Sequence, residues 1–264
     1  MNGVRHFLLA LQFFTRVPVT GPLAAWVGFS PQMLRSSAAH LPGIGWLAGG
    51  VAALVFVAVG MGLPGVAGAL AAAVLSTTAT VMLTGAFHED GLADVADGLG
   101  GSANRDRALE IMKDSRIGAF GALALVLALG LKCALLAVLA GHGLQAVVVA
   151  IVGAHVLSRL MPLFLIRWLP YVGDSGASKA KPLADAISGG ALLIAGVWAL
   201  PAVALLLYAH DVAHSVAAVL AAVVAAGWMA RLFMRRLQGF TGDGLGATQQ
   251  VCELAIYLAL AWRA

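Results

Sequence analysis

The chain has 264 residues, 61% of them hydrophobic and only 11% charged, with a mean hydropathy of +0.94. Soluble domains carry about 25% charged residues, so this composition excludes an ordinary aqueous globule and places the chain in a lipid bilayer. The formal net charge of +4 comes from basic residues scattered among membrane-flanking segments rather than a basic tail, which favours lipid headgroups or substrate phosphates as partners and not nucleic acid.

In chain order, the apolar run Phe7 to Phe14 is short, is followed by Arg16, and shows no small-residue cleavage pattern before Pro18 and Pro22. It reads as a retained amphipathic segment at the membrane interface, not as a secretory signal. Residues 21–42, with their prolines, Arg35 and His40, read as a loop with one short helix. Apolar runs long enough to cross about 30 Å of hydrocarbon then follow at 44–62, 65–84, 118–140, 143–166, 189–209, 212–234 and 247–262. The expected fold is therefore all-α, a polytopic bundle of about seven transmembrane helices in one domain over residues 1–264. The seventh run is short and opens with Gln249, Gln250 and Glu253. An acid there is costly unless paired, so Glu253 is read as paired with a cation such as Lys132 or Arg159, or else as a contact of the site. Cys133 and Cys252 lie in apolar stretches and read as packing residues. Gly118 and Gly121 read as sites of close helix approach.

The connections alternate in charge. Those at 63–64, 141–143 and 210–211 have no Lys or Arg, whereas the others hold Arg5, Arg16 and Arg35, Arg105 to Arg116, Arg167 with Lys179 and Lys181, and Arg235 with Arg236. By the positive-inside rule the basic set is cytoplasmic, with the N-terminus inside. The long segments 85–117, 167–188 and 235–246 then share one face, where their polar groups can converge.

Seven of the twelve carboxylates lie between Glu89 and Asp114, in a stretch rich in glycine. Asp90, Asp94 and Asp97 are spaced i, i+4, i+7, which on a helix puts them within roughly 60° of one face. A divalent cation removes their mutual repulsion, and oxygen-only donors without Cys or His favour Mg²⁺ over zinc. The competing reading is a solvated acidic loop. Beyond it, Lys113 and Arg116 are i, i+3 neighbours suited to holding a diphosphate, or else basic anchors at a membrane border.

Thr84-Gly85-Ala86-Phe87 with His88 to Gly101, and Glu110 through Gly121, resemble the cobalamin synthase family (adenosylcobinamide-GDP ribazoletransferase). Shorter agreements at Ala10–Val19, Leu41–Gly45 and Gly239–Ala247 extend the resemblance along nearly the whole chain. It implies a multi-pass enzyme of the bacterial cytoplasmic membrane, with its active site facing the cytoplasm. Adenosylcobinamide-GDP would be joined to α-ribazole or its 5′-phosphate, releasing GMP, with Mg²⁺ neutralising the diphosphate. On that resemblance Asp90, Asp94 and Asp97 are expected as metal ligands and Lys113 and Arg116 as phosphate contacts. Asp114 is a weaker candidate, as ligand or base. Asp243 opens the last span and is read as base, as part of the metal shell, or as a simple cap.

His88 either orients a carboxylate, contacts substrate, or is an ordinary border histidine. Tyr171, Gly173, Asp174 and Lys179 read as ordinary loop residues, with base stacking by Tyr171 the alternative. His210 and His214 have metal-like spacing but sit at the opposite end of the spans, where interfacial polar residues are expected. Asp94-Val95-Ala96-Asp97-Gly98 also matches the first half of the D-x-x-D-G signature of CDP-alcohol phosphotransferases, but the G-x-x-x-D-x-x-x-D half does not follow. A lipid-headgroup enzyme and a cation-coupled transporter are thus the alternatives, and a homo-oligomer is left open.

Overall fold

The computed structural model describes residues 2–173 and 187–262; the expectations for Asp174, Lys179 and Lys181 lie outside them. The N-terminal collar is α1 (Asn2–Phe14), α2 (Gly21–Val27) and α3 (Pro31–Ser37), continued by a 3-10 turn at Ala38–His40. Residues 21–42 are thus more helical than expected, with two short helices. Pro22 and Pro31 sit in their first turns, where the missing N–H costs nothing, and Ser30 caps the second by accepting from Met33 N at 3.1 Å. Phe13 and Phe14 of α1 pack edge-on against Phe87, tying the collar to the site described below.

The bundle comprises α4 (Leu41–Gly62), α5 (Gly65–Thr84), α8 (Ala119–Gly141), α9 (Leu144–Trp168), α10 (Gly189–Ala209), α11 (Val212–Arg236) and α12 (Gly242–Ala261). Two shorter helices, α6 (Phe87–Gly101) and α7 (Arg105–Ile111), fill the connection between α5 and α8. Among the described residues six helices are long and apolar enough to cross a membrane, one of them running from Pro31 through α4. The seventh expected span, α12, has the length but not the hydropathy. The packing explains why: Gln249, Gln250 and Glu253 are buried against α6, α8 and α9, so this helix faces protein where its neighbours face lipid.

Alongside α12, α9 is the other inner helix, 72% buried over its apolar window against 22–39% for the other candidate spans. At Gly45 α4 lies so close to α9 that a Cβ would stand 2.5 Å from the His155 carbonyl. Cys252 is buried and Cys133 partly so; both are free thiols, as their apolar surroundings imply. At the end of the bundle away from α6, His214 bridges the Asp211 carboxylate (2.6 Å) and the Trp262 carbonyl (2.7 Å), while His210 meets the Ala146 carbonyl at 3.2 Å. These histidines satisfy helix ends, as expected of interfacial residues.

Candidate active site

α5 ends on Gly85 in the left-handed conformation (φ 68°), and Ala86 follows with φ 61°. Two left-handed residues in succession reverse the chain, so α6 folds back onto the end of the bundle and packs between α8 and α12. Its glycines permit that approach. At Gly91 a Cβ would lie 2.6 Å from the Asp243 carbonyl, so the first turns of α6 and α12 meet backbone to backbone.

This meeting brings Asp90 and Asp243 to one cavity of ≈ 200 Å³, which is also lined by Lys113, Tyr171, Gly173 and Thr241. Asp243 belongs to the first turn of α12, whose N-cap Thr241 accepts from Gly244 N at 3.1 Å. Tyr171 is carried there by a short pairing of two loops: Val172 N donates to the Phe240 carbonyl at 2.9 Å, and Phe240 N to the Pro170 carbonyl at 3.0 Å. Its ring packs edge-on against Phe240. Tyr171 and Gly173 are thus cavity residues where ordinary loop residues were expected, and the signal was Gly239-Phe240-Thr241 on the partner loop. A larger groove of ≈ 770 Å³ between α11 and α12 is almost wholly apolar and has no carboxylate or phosphate-binding group.

The three aspartates of α6 are helical as expected, but they do not converge. Asp90 is exposed to the cavity, Asp94 is half-buried and Asp97 is buried. Seven residues of helix separate Asp90 from Asp97 by about 10 Å along the axis, more than one ion spans. Among the described residues no group of three or more His, Cys, Asp or Glu side chains is placed to hold a metal ion. Instead Asp97 caps α8: its Oδ2 accepts from Gly118 N at 2.7 Å and its Oδ1 from Gly121 N at 2.8 Å. A Cβ at Gly118 or Gly121 would collide with that carboxylate, so the two glycines seat Asp97. Anions at helix N-termini gain from both the free N–H groups and the helix dipole.

Asp94 lies in the field of Asp243, Asp90 and Asp97; burial first, and then these neighbours in that order, push its carboxyl up to about 7. This arrangement, with Asp90 and Asp243 on one cavity and Asp94 close enough to feel both, fits a Mg²⁺ ion held by one or two carboxylates. It does not fit an all-protein cage of Asp90, Asp94 and Asp97.

Arg116 is exposed and turned onto Asp114, its Nε donating to Oδ1 at 3.0 Å, and these hydrogen bonds pull the Asp114 carboxyl down to about 2. A carboxylate so held is a poor proton acceptor at neutral pH. Neither residue lines the cavity; Lys113 does. His88 is buried on the inner side of α6, packed edge-on against Phe87 and lining a small apolar void with Phe13, Phe14 and Pro162. Burial holds its imidazole well below the ordinary pKa, and it lines this void and not the cavity of Asp90 and Asp243. Arg105 and Arg236, both of the basic set of connections, are latches: Arg105 Nε donates to the Leu237 carbonyl at 2.7 Å, and Arg236 Nη2 to the Ser102 and Leu99 carbonyls at 2.6 and 3.1 Å.

Beneath α6 the expected pairing of Glu253 is present, with Lys132 as the partner: Nζ to Oε1 is 2.7 Å, with side chains 3% and 1% exposed. Arg159 turns instead to His155, contacting its carbonyl and its Nδ1, each at 2.9 Å.

A polytopic helical bundle with carboxylates and a lysine on one cavity at its end belongs to the class of integral membrane proteins equipped for phosphate chemistry. The comparisons narrow this. Residues 6–261 match the family described as Cobalamin-5-phosphate synthase. A protein of Polaromonas sp. (strain JS666 / ATCC BAA-500) named adenosylcobinamide-GDP ribazoletransferase is 56% identical over 98% of this chain and 96% of the relative. Proteins of the same name from Albidiferax ferrireducens and Shewanella amazonensis are 57% and 43% identical, over 98% and 96% of this chain and 98% and 94% of theirs. No solved structure matches. The chain belongs to the Cobalamin-5-phosphate synthase family.

Proposed function

We propose that the chain is a membrane-bound adenosylcobinamide-GDP ribazoletransferase that completes the nucleotide loop of a corrinoid, releasing GMP, and that it needs Mg²⁺. The observation that carries this reading is the meeting of Asp90, Asp243 and Lys113 on one cavity, in a chain of this family. Mg²⁺ held by Asp90 and Asp94 would neutralise the diphosphate. Lys113 lines the same cavity and would offer a cation to those phosphates.

In the reaction the ribose hydroxyl of α-ribazole, free or 5′-phosphorylated, forms a bond to the phosphorus next to cobinamide, and the bond from that phosphorus to GMP breaks. Asp243 is the proposed acceptor for the hydroxyl proton, since it faces the cavity while Asp114 is tied to Arg116. Asp97 holds α8 against α6 and so maintains the site's floor. The basic connections support a cytoplasmic face for this site, in a bacterial inner membrane. Among the described residues the mid-span acids, the mark of the transporter alternative, come down to Glu253, which is paired with Lys132 within the bundle.

The test is GMP release and corrinoid formation by detergent-solubilised protein given adenosylcobinamide-GDP and α-ribazole 5′-phosphate, with Mg²⁺ or EDTA. Product that requires Mg²⁺ and falls by about 100-fold or more in Asp94→Asn is expected. Absence of product from folded wild type sinks the activity; full activity in EDTA sinks the metal.

A further inference from the structure

α6 meets α12 at three successive places: Gly91 lies on the Asp243 backbone, the His88 backbone lies 3.3 Å from a Cβ position at Gly246, and Glu89 meets Gln250. The first two are glycine-to-backbone contacts without a directional bond. Only the third has one: Gln250 Nε2 donates to Glu89 Oε1 at 3.0 Å, between side chains 4% and 7% exposed. Because Glu89 directly precedes Asp90 in the first turn of α6, whatever fixes Glu89 fixes the rotation and height of Asp90.

The Gln250 carboxamide is itself immobilised. Its nitrogen also donates to Gln249 Oε1 at 3.0 Å, and Gln249 in turn donates to Ser158 Oγ at 2.9 Å and Glu253 Oε2 at 2.7 Å. Glu253 closes the series on Lys132 at 2.7 Å. The first turn of α6 is thereby moored through α12 to both α9 and α8. The other Glu89 oxygen, Oε2, is buried with no hydrogen-bond partner among the described residues, so within them this carboxylate depends on Gln250.

We infer that Gln250 is a positioning residue for the site: its buried hydrogen bond to Glu89 sets the register of α6 on α12 and holds Asp90 opposite Asp243. The inference rests on the reading of Asp90 and Asp243 as site carboxylates. Gln250 touches neither substrate nor ion, and acts through Glu89. A purely structural role would change how much protein folds without changing what each folded molecule does.

The experiment compares Gln250→Leu, Glu89→Leu, their double variant and Glu89→Gln, purified as full-length chains, for kcat, KM, the Mg²⁺ midpoint and the rise in melting temperature on adding Mg²⁺. Gln250→Leu makes α12 less polar, so insertion is retained. Misplacing a reacting group by about 1 Å costs about 100-fold, and loss of an orienting partner costs about 10- to 100-fold in metal affinity. The expected result is a kcat lower by about 10- to 100-fold, a Mg²⁺ midpoint raised about tenfold and a smaller Mg²⁺-induced thermal shift, with KM for the corrinoid unchanged. Glu89→Leu should match it, the double variant should add nothing, and Glu89→Gln, which keeps an oxygen for Gln250, should restore all three readouts.

Gln250→Leu with wild-type kcat and Mg²⁺ midpoint per folded molecule would overturn the inference. So would a double variant whose losses simply add. If the wild type itself makes no product, the activity reading fails separately, and the Mg²⁺-induced thermal shift still compares the variants. If Gln250→Leu does not fold, the Glu89→Leu and Glu89→Gln pair decides the question from the α6 side.

Discussion

Replacing Lys132 by methionine keeps the length of the side chain and removes its charge, leaving Glu253 in the middle of the bundle without its 2.7 Å partner. Breaking a buried ion pair from one side costs about 3–5 kcal/mol, because the remaining charge stays desolvated. Glu253 keeps its 2.7 Å hydrogen bond from Gln249 and has His155 Nε2 at 3.7 Å, so the lower end of that range applies. At about 2–4 °C per kcal/mol for a chain of this size, a loss of about 3 kcal/mol lowers the melting temperature by roughly 6–12 °C. The assay is loss of the monodisperse gel-filtration peak after heating detergent-solubilised protein. Lys132→Met with Glu253→Gln removes both charges and should recover most of the loss. If Lys132→Met melts with wild type, or the double variant melts below both single ones, the pair does not carry the stability argued for it.

Gly121→Ala drives a methyl into the Asp97 carboxylate and toward the Ala93 carbonyl, so it should loosen α8 from α6 and lower both melting temperature and activity. Gly130→Ala, with open space around it on the same helix, should change neither. In metal-free protein the folded state holds the Asp94 proton more tightly than the unfolded chain does, since its pKa is raised from 3.8 to about 7. Stability should therefore fall as pH rises through that window and level off above it. Asp94→Asn should flatten the slope, and Mg²⁺ should stabilise wild type most at the alkaline end, as thermal melts from pH 5 to pH 8 would read.

The spans were legible because lipid imposes a simple rule. Residues 65–84 and 189–209 are helices at the limits their apolar runs set, with Pro64 and Ser188 at the N-caps. The pairing of Glu253 was legible too, since a lone acid in an apolar run needs a cation and Lys132 stands in another. Azimuth on α6 was readable from spacing, but convergence was not. Asp97 shares the stripe of Asp90, yet what it meets is decided by the N-terminus of α8, folded from residues more than twenty positions away. The double role of the Gly118-to-Gly121 stretch, as helix start and as seat for a carboxylate, was hidden for the same reason. Short elements such as α2 and α3 carry too few residues for periodicity, and only their prolines and Ser30 marked them.

The burial of α12 bears on how the protein is made. Segments enter the bilayer according to their own apolarity, and α12, with Asp243, Gln249, Gln250 and Glu253, is too polar to enter readily by itself. It is also the last of the described helices to leave the ribosome. By then Lys132 is already in place on α8, an embedded cation whose 2.7 Å partner has yet to arrive. Pairing Lys132 with Glu253 offsets the cost of burying either charge alone, so the final helix gains by joining the bundle. Because Gln250 arrives with it, the mooring of α6 is completed only when assembly of the bundle is complete.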